Sequence, residues 1–142
     1  MPTEKHEGRG WLTNQPHSVF DRTKDQAEFD RLRLLESAFD PQAWLRLETV
    51  GVTEGWHCLE VGAGAGSIMN WLSKKVGSCG KVVAVDTNTR FLPSSPHSNT
   101  VIVKEDIRHA DLSEDCFDLI HGRYVLLHIP EFESVLKKCF PF

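Results

Sequence analysis

The sequence has 142 residues, enough for one domain with a single hydrophobic core and too few for two. Its composition, 40% hydrophobic and 25% charged, is that of an ordinary globular protein and excludes a low-complexity or fibrous chain. The net charge of −4, with Lys and Arg scattered among acids as in Asp30-Arg31-Leu32-Arg33, excludes a general binder of nucleic-acid backbones, which needs clustered cations.

Met1 to Glu7 is polar and lacks the apolar stretch of a signal peptide. No apolar run approaches the roughly 18 residues that span a bilayer, so a cytoplasmic protein without membrane attachment is expected. Cys58, Cys79, Cys116 and Cys139 are widely spaced, which predicts four reduced thiols. The histidines show no metal-ligand spacing. His57 and Cys58 would point to opposite faces of a strand, so no metal site is expected.

Residues 1–24, with Gly8, Gly10 and Pro16, read as an irregular lead segment whose sizeable apolar side chains are Trp11, Val19 and Phe20. Residues 25–142 then form the domain. From Asp25 the pattern is helical: Phe29, Leu32, Leu35 and Phe39 recur at three- and four-residue steps, with Glu28, Arg31, Arg33 and Glu36 on other faces. Asp40-Pro41 resets the chain, Asp40 capping a second helix and Pro41 fitting its first turn. That helix carries Trp44, Leu47 and Val50 and ends at Gly51. The period then shortens. Cys58-Leu59-Glu60-Val61 is a strand, followed by glycines and by Ile68, Trp71, Leu72 and Val76 at helical spacing. Lys81 to Asp86 is a near-continuous apolar run, as a strand buried on both faces of a parallel sheet requires. A proline- and serine-rich stretch leads to a third strand, Val101-Ile102-Val103, and then to a fourth, Phe117-Asp118-Leu119-Ile120. A last helix carries Phe132, Val135, Leu136 and Cys139. Strands alternating with helices predict an α/β fold with a parallel sheet.

Glu60-Val61-Gly62-Ala63-Gly64-Ala65-Gly66 joins the first strand to its helix. Glycines here let the chain turn tightly and let a ligand approach the backbone. The helix starting near Ser67 offers unpaired amides to an anionic group. A strand-to-helix turn needs no ligand, so the spacing has to decide. A dinucleotide fingerprint starting at Gly62 would place its last glycine or alanine at Ser67. Instead the glycines stand at every second residue, two places after Glu60. Asp86 ends the second strand 20 residues beyond Gly66 (86 − 66), where a carboxylate can accept from two ribose hydroxyls, a feature NAD-binding folds share. Asp106-Ile107 follows the third strand, and a solvated loop acid beside Glu105 is the simpler account of Asp106.

The Glu60–Gly66 phrase, Asp86, Asp106 and the run from Asp118 to His128-Ile129-Pro130 resemble, in order, four motifs of the class I S-adenosylmethionine-dependent methyltransferases. The resemblance covers about Asp25 to Cys139. It implies a Rossmann-like methyltransferase fold, with a parallel sheet of about four strands and N-terminal helices, and S-adenosyl-L-methionine as cofactor. The implied cofactor-binding residues are Glu60, Gly62, Ala63, Gly64 and Gly66 at the methionine part. Asp86 with Thr87 would serve the ribose, Asp106 with Ile107 the adenine, and Arg123 would neighbour the cofactor after the fourth strand. The implied reaction is methyl transfer to a small-molecule acceptor whose target atom no residue specifies. His128 is the catalytic candidate, since imidazole titrates near neutral pH. A histidine that packs against or caps the last helix is the competing account, and Tyr124 has the same standing. Trp11, Phe20 and the helix from Asp25 would fold over the cofactor, while Phe29, Leu32, Leu35 and Trp71 are expected in the core.

The family's fold has seven strands, the last three following the helix at which this sequence ends with Cys139-Phe140-Pro141-Phe142. The expectation is a truncated cofactor-binding half lacking those strands, impaired in methyl transfer, with a fourth-strand edge open to self-association. Two alternatives stay open: a non-catalytic cofactor-binding protein or inactive fragment, and an NAD-dependent oxidoreductase. Ser67 and the lack of a Tyr-x-x-x-Lys pair, since His128 follows Tyr124 at that spacing, disfavour the second.

Overall fold

The computed structural model describes residues 19–94, 96–112 and 116–139. A long helix α1 (Val19–Val50) precedes β1 (His57–Val61), α2 (Ser67–Val76), β2 (Lys81–Asp86), β3 (Thr100–Lys104) and β4 (Leu119–Gly122); a 3₁₀ turn (Leu126–His128) and α3 (Phe132–Cys139) follow. The four strands are parallel, in the order β3-β2-β1-β4. Val61 pairs with both Val85 and Gly122, so the carboxyl ends of β1, β2 and β4 finish at one level.

The two-residue period of the strands sorts their side chains onto two faces. Cys58, Val82 and Ala84 pack with Leu47 of α1 and with Ile68, Met69, Leu72 and Val76 of α2. Leu59, Val61, Val83 and Val85 pack on the other face with Ile107, Ala110, Leu112 and Val135 of α3. Burial on both faces explains why β2 has no polar residue between Lys81 and Asp86. Each fully buried aliphatic side chain contributes about 1.5–3 kcal/mol of transfer free energy, so these two layers are the main favourable term. Cys58 sits inside one of them. Burial, with the nearby charges of Asp118 and Glu60, pushes its thiol up to about 12, which keeps it unreactive.

β1, α2, β2 and β3 lie within one residue of their expected bounds, and α3 spans the expected residues from Phe132 to Cys139. β4 starts two residues later than expected. The Asp118 carboxylate accepts from the His57 amide at 2.8 Å, and the Asp118 amide donates to the His57 carbonyl at 2.8 Å, so the β1–β4 ladder opens only at Cys58 and Leu119.

α1 departs further. It begins at Val19 rather than Asp25 and runs through Asp40-Pro41 as a single helix. Asp40 caps nothing. It is 4% exposed, and its Oδ1 accepts from Arg123 Nη1 at 2.9 Å. Pro41 removes the amide that would bond the carbonyl of residue 37, a cost of about 3 kcal/mol in a helix interior, and the neighbouring Asp40–Arg123 pair anchors the helix there. Trp44 and Val50 are exposed, leaving Leu47 as the buried apolar residue of that stretch. Gly51 ends the helix as expected, with φ +98° and its amide donating to Leu47 and Glu48. Trp11, Phe140, Pro141 and Phe142 lie outside the described residues, as does the side chain of Phe20. No described helix is long and apolar enough to cross a membrane.

Candidate functional site

From β1 the chain passes to β2 on one side of the sheet, whereas β4 lies on the other side of β1. The loops after β1 and β4 therefore diverge at the carboxyl edge, where open α/β sheets form a crevice. A cavity of about 590 Å³ lies there, a size typical of small-molecule sites. Its floor is the glycine loop, and its sides are the loops after β2, β3 and β4.

The glycine loop is held by its neighbours. Gly62 has φ +75°, and its amide donates to the Val85 carbonyl at 2.8 Å. A Cβ there would come within 2.3 Å of Val125, so only glycine lets the β4 loop approach this closely. The Gly64 amide donates to Asp86 Oδ2 at 2.9 Å, and the Asn88 amide donates to Asp86 Oδ1 at 3.0 Å. Asp86 thus fixes the loop and still presents lone pairs to the cavity. Asp106 is gripped by Arg108, whose guanidinium donates to both carboxylate oxygens, 2.6 Å at the shortest. Those hydrogen bonds hold the Asp106 carboxyl well below the usual range.

At the cavity wall, Glu60 is 3% exposed and lies 2.6 Å from His121 Nδ1 on β4. Burial pushes the Glu60 carboxyl up, with His121 pulling the other way. Burial also works against charge on His121, yet the hydrogen bond to Glu60 and its charge outweigh it and hold the imidazole above its ordinary value. The pair therefore keeps its proton to higher pH than a free imidazole would.

α1 covers the crevice. Asp25 pairs with Arg90, and Phe29 meets Phe91 with ring centroids 5.7 Å apart, both on the loop after β2. Leu32 packs over Gly64, and Asp40 bonds Arg123 beyond β4. Phe39 meets Tyr124 edge-on at 5.5 Å, and Tyr124 itself has φ +60°, a left-handed conformation that costs a tyrosine about 1–2 kcal/mol. Leu32 and Leu35 line the cavity and are half-buried, not core as expected, because the face of α1 on which they lie meets the crevice. Phe29 is likewise half-buried, against Phe91.

Residues 59–141, more than half of the chain, match the family described as the methyltransferase domain. The chain belongs to the methyltransferase domain family. It is similar to the demethylmenaquinone methyltransferase of Staphylococcus aureus, 27% identical over 131 residues, which cover 87% of this chain and 54% of that protein. It is also similar to the 2-phytyl-1,4-naphtoquinone methyltransferase of a Nostoc species, 23% identical over 137 residues, covering 89% and 59%. Among solved structures it matches a SAM-dependent methyltransferase from Aquifex aeolicus with a TM-score of 0.62 and 25% identity, covering 78% of this chain and 64% of that one. The fold is thus the Rossmann-like methyltransferase fold. The chain spans about half the length of the curated relatives it matches.

Within this methyltransferase domain, Glu60, Gly62, Ala63, Gly64, Asp86, Thr87, Asp106, Ile107, Arg123 and His128 all line the cavity. Gly66 does not. Its φ of +89° at the start of α2, with Leu92 3.0 Å from where a Cβ would stand, gives it a turn-making part. The residues that sequence reasoning missed are His121 and the α1 acids Glu36 and Asp40. A signal was present: Leu32, Glu36 and Asp40 are four apart, which puts two acids on a face shared with a leucine.

Proposed function

We propose that this methyltransferase domain binds S-adenosyl-L-methionine in the cavity above β1 and serves methyl transfer to a small-molecule acceptor. The observation that carries this reading is the convergence of the glycine loop, Asp86 and Asp106 on one cavity at the switch point of the sheet. The donor and acceptor set suits the cofactor. Glycine-loop amides and the first turn of α2 favour its carboxylate. The free lone pairs of Asp86 suit ribose hydroxyls, and Asp106 and Ile107 line the same cavity, where a carboxylate and a neighbouring amide would suit a heteroaromatic ring.

When bound, the cofactor supplies an electrophilic methyl group on a sulfonium. The chain's own part is to hold and align, because an in-line displacement depends chiefly on orientation. Val85, Ile107 and Val125 give the cavity apolar wall surface, and Leu32 and Leu35 of α1 add to it. In this reading His128, which ends the 3₁₀ turn and lines the cavity, takes a proton from an acceptor hydroxyl. Similarity to two quinone-type methyltransferases over 87% and 89% of this chain supports a small-molecule acceptor, and the net charge of −4 gives no clustered cations for a nucleic-acid backbone. A cytoplasmic location and self-association through the β4 edge belong to the same reading.

Calorimetric titration with S-adenosylmethionine and, separately, NAD tests it. Saturable binding of the sulfonium cofactor alone is expected, weakened about tenfold or more in Asp86→Asn, which exchanges a charged acceptor for a neutral amide. Preferential binding of NAD, or no binding by folded protein, would overturn the assignment.

A further inference from the structure

α1 presents Leu32, Glu36 and Asp40 on one face at four-residue steps. Leu32 Cδ2 lies 3.6 Å from where a Gly64 Cβ would stand, and Asp40 is tied to Arg123. Glu36 is thereby held between the glycine loop and the β4 loop, where it lines the cavity and is 7% exposed. Neither of its carboxylate oxygens has a hydrogen-bond partner among the described residues. Its ion-pair partner is Arg33, with Nη1 3.8 Å from Oε1 and a side chain mostly in solvent.

The other carboxylates on the cavity wall are engaged. Glu28 accepts from Arg31, Glu60 meets His121, and Asp86 accepts from two loop amides. Glu105 accepts from the Asp106 amide, and Asp106 from Arg108. A buried carboxylate without donors is unfavourable, and such a group facing a cavity marks where a ligand donor goes. The amino-acid end of the proposed cofactor carries a carboxylate and an ammonium on one carbon. The loop amides and the start of α2 suit the carboxylate. The ammonium then needs an acceptor near the glycine loop, and Glu36 lines the same cavity one turn along α1 from Leu32, which lies over Gly64.

We infer that Glu36 is a binding residue for the α-ammonium of the cofactor, so that α1 is part of the recognition surface as well as a cover. This assignment rests on the cofactor proposed above. It is tested by titrating wild-type protein and Glu36→Gln with S-adenosylmethionine, S-adenosylhomocysteine and 5′-methylthioadenosine, which lacks the amino-acid end. Glutamine keeps the shape and removes the charge. The first two ligands are expected to weaken roughly ten- to hundredfold while 5′-methylthioadenosine is unchanged. Glu36→Met, which buries no unpaired polar group, should show the same selective loss and covers the case in which the glutamine variant misfolds. Equal losses for all three ligands, or none, would overturn the assignment. Loss with S-adenosylmethionine alone would overturn it in favour of a contact with the sulfonium. Failure of wild-type protein to bind any of the three would instead overturn the proposed function, and this assignment with it.

Discussion

The Glu60–His121 pair shows how one buried carboxylate can serve the fold at the wall of a ligand site. Glu60 belongs to the glycine-loop phrase, but in the fold its side chain is directed at β4 and meets His121 at 2.6 Å. Both pKa values stand above their ordinary positions, because burial disfavours the Glu60 charge and Glu60 in turn favours the proton on His121. A raised folded-state pKa gives stability that is complete below the unfolded value, about 4.3 for a glutamate and about 6.5 for imidazole, and is lost as pH rises through the folded value. The melting temperature of the wild-type protein is therefore expected to fall as pH climbs above about 4.3, and further above about 6.5. The variant carrying His121→Gln and Glu60→Gln, which retains a neutral hydrogen-bonding pair, should show a flatter profile. Thermal unfolding followed by circular dichroism across that range checks it, and identical slopes for the two proteins would remove the pair from the account. None of this was legible in the sequence. Glu60 and His121 are 61 residues apart, and only the β1–β4 register brings them opposite each other.

At the scale of elements, α1 carries the largest difference between expectation and structure. Pro41 lies inside a continuous helix and leaves the carbonyl of residue 37 without its amide partner. Pro41→Ala restores that donor but adds entropy to the unfolded chain. A net stabilisation of about 1–2 kcal/mol is expected, seen as a higher urea midpoint with unchanged slope. An unchanged midpoint would mean that this carbonyl is already satisfied in the native helix. The sequence exposed β1, α2 and β2 almost to the residue because β1 and β2 are short, mainly apolar runs and α2 repeats its apolar residues at helical spacing between Gly66 and Gly77. α1 was harder to place because it covers a polar crevice and not an apolar core. Its inner face mixes Leu32 and Leu35 with Glu36 and Asp40, so a pattern sought in hydrophobic residues alone put Glu36 on a different face from the leucines. Asp40-Pro41 has the same composition as a helix start, and only the contact with Arg123 decides against that reading. The glycine loop and the acids after β2 and β3 were legible because backbone geometry and ligand chemistry restrict which residues fit there.

The molecule as a whole is a four-stranded parallel sheet in which, among the described residues, β4 is hydrogen-bonded on one side only, to β1. Pairing order in a parallel sheet depends on how far each crossover reaches, which local sequence does not record; the family resemblance supplied only the edge position of the fourth strand. Leu119 and Ile120 make β4 a short, largely apolar strand, and such an edge offers unpaired amides and carbonyls to another chain. The 142-residue chain is therefore expected to self-associate through β4 in solution, with a scattering mass that rises with concentration above that of one chain. Hydrogen exchange locates the contact: amides of Leu119 to Gly122 should gain protection at high concentration while those of Thr100 to Lys104, on the opposite edge, do not. A concentration-independent mass of one chain would eliminate the association, and protection confined to β3 would move it to the other edge. Association at β4 would also bring a second chain beside Arg123, the residue that anchors α1, so cofactor affinity should vary with protein concentration if the edge is the contact.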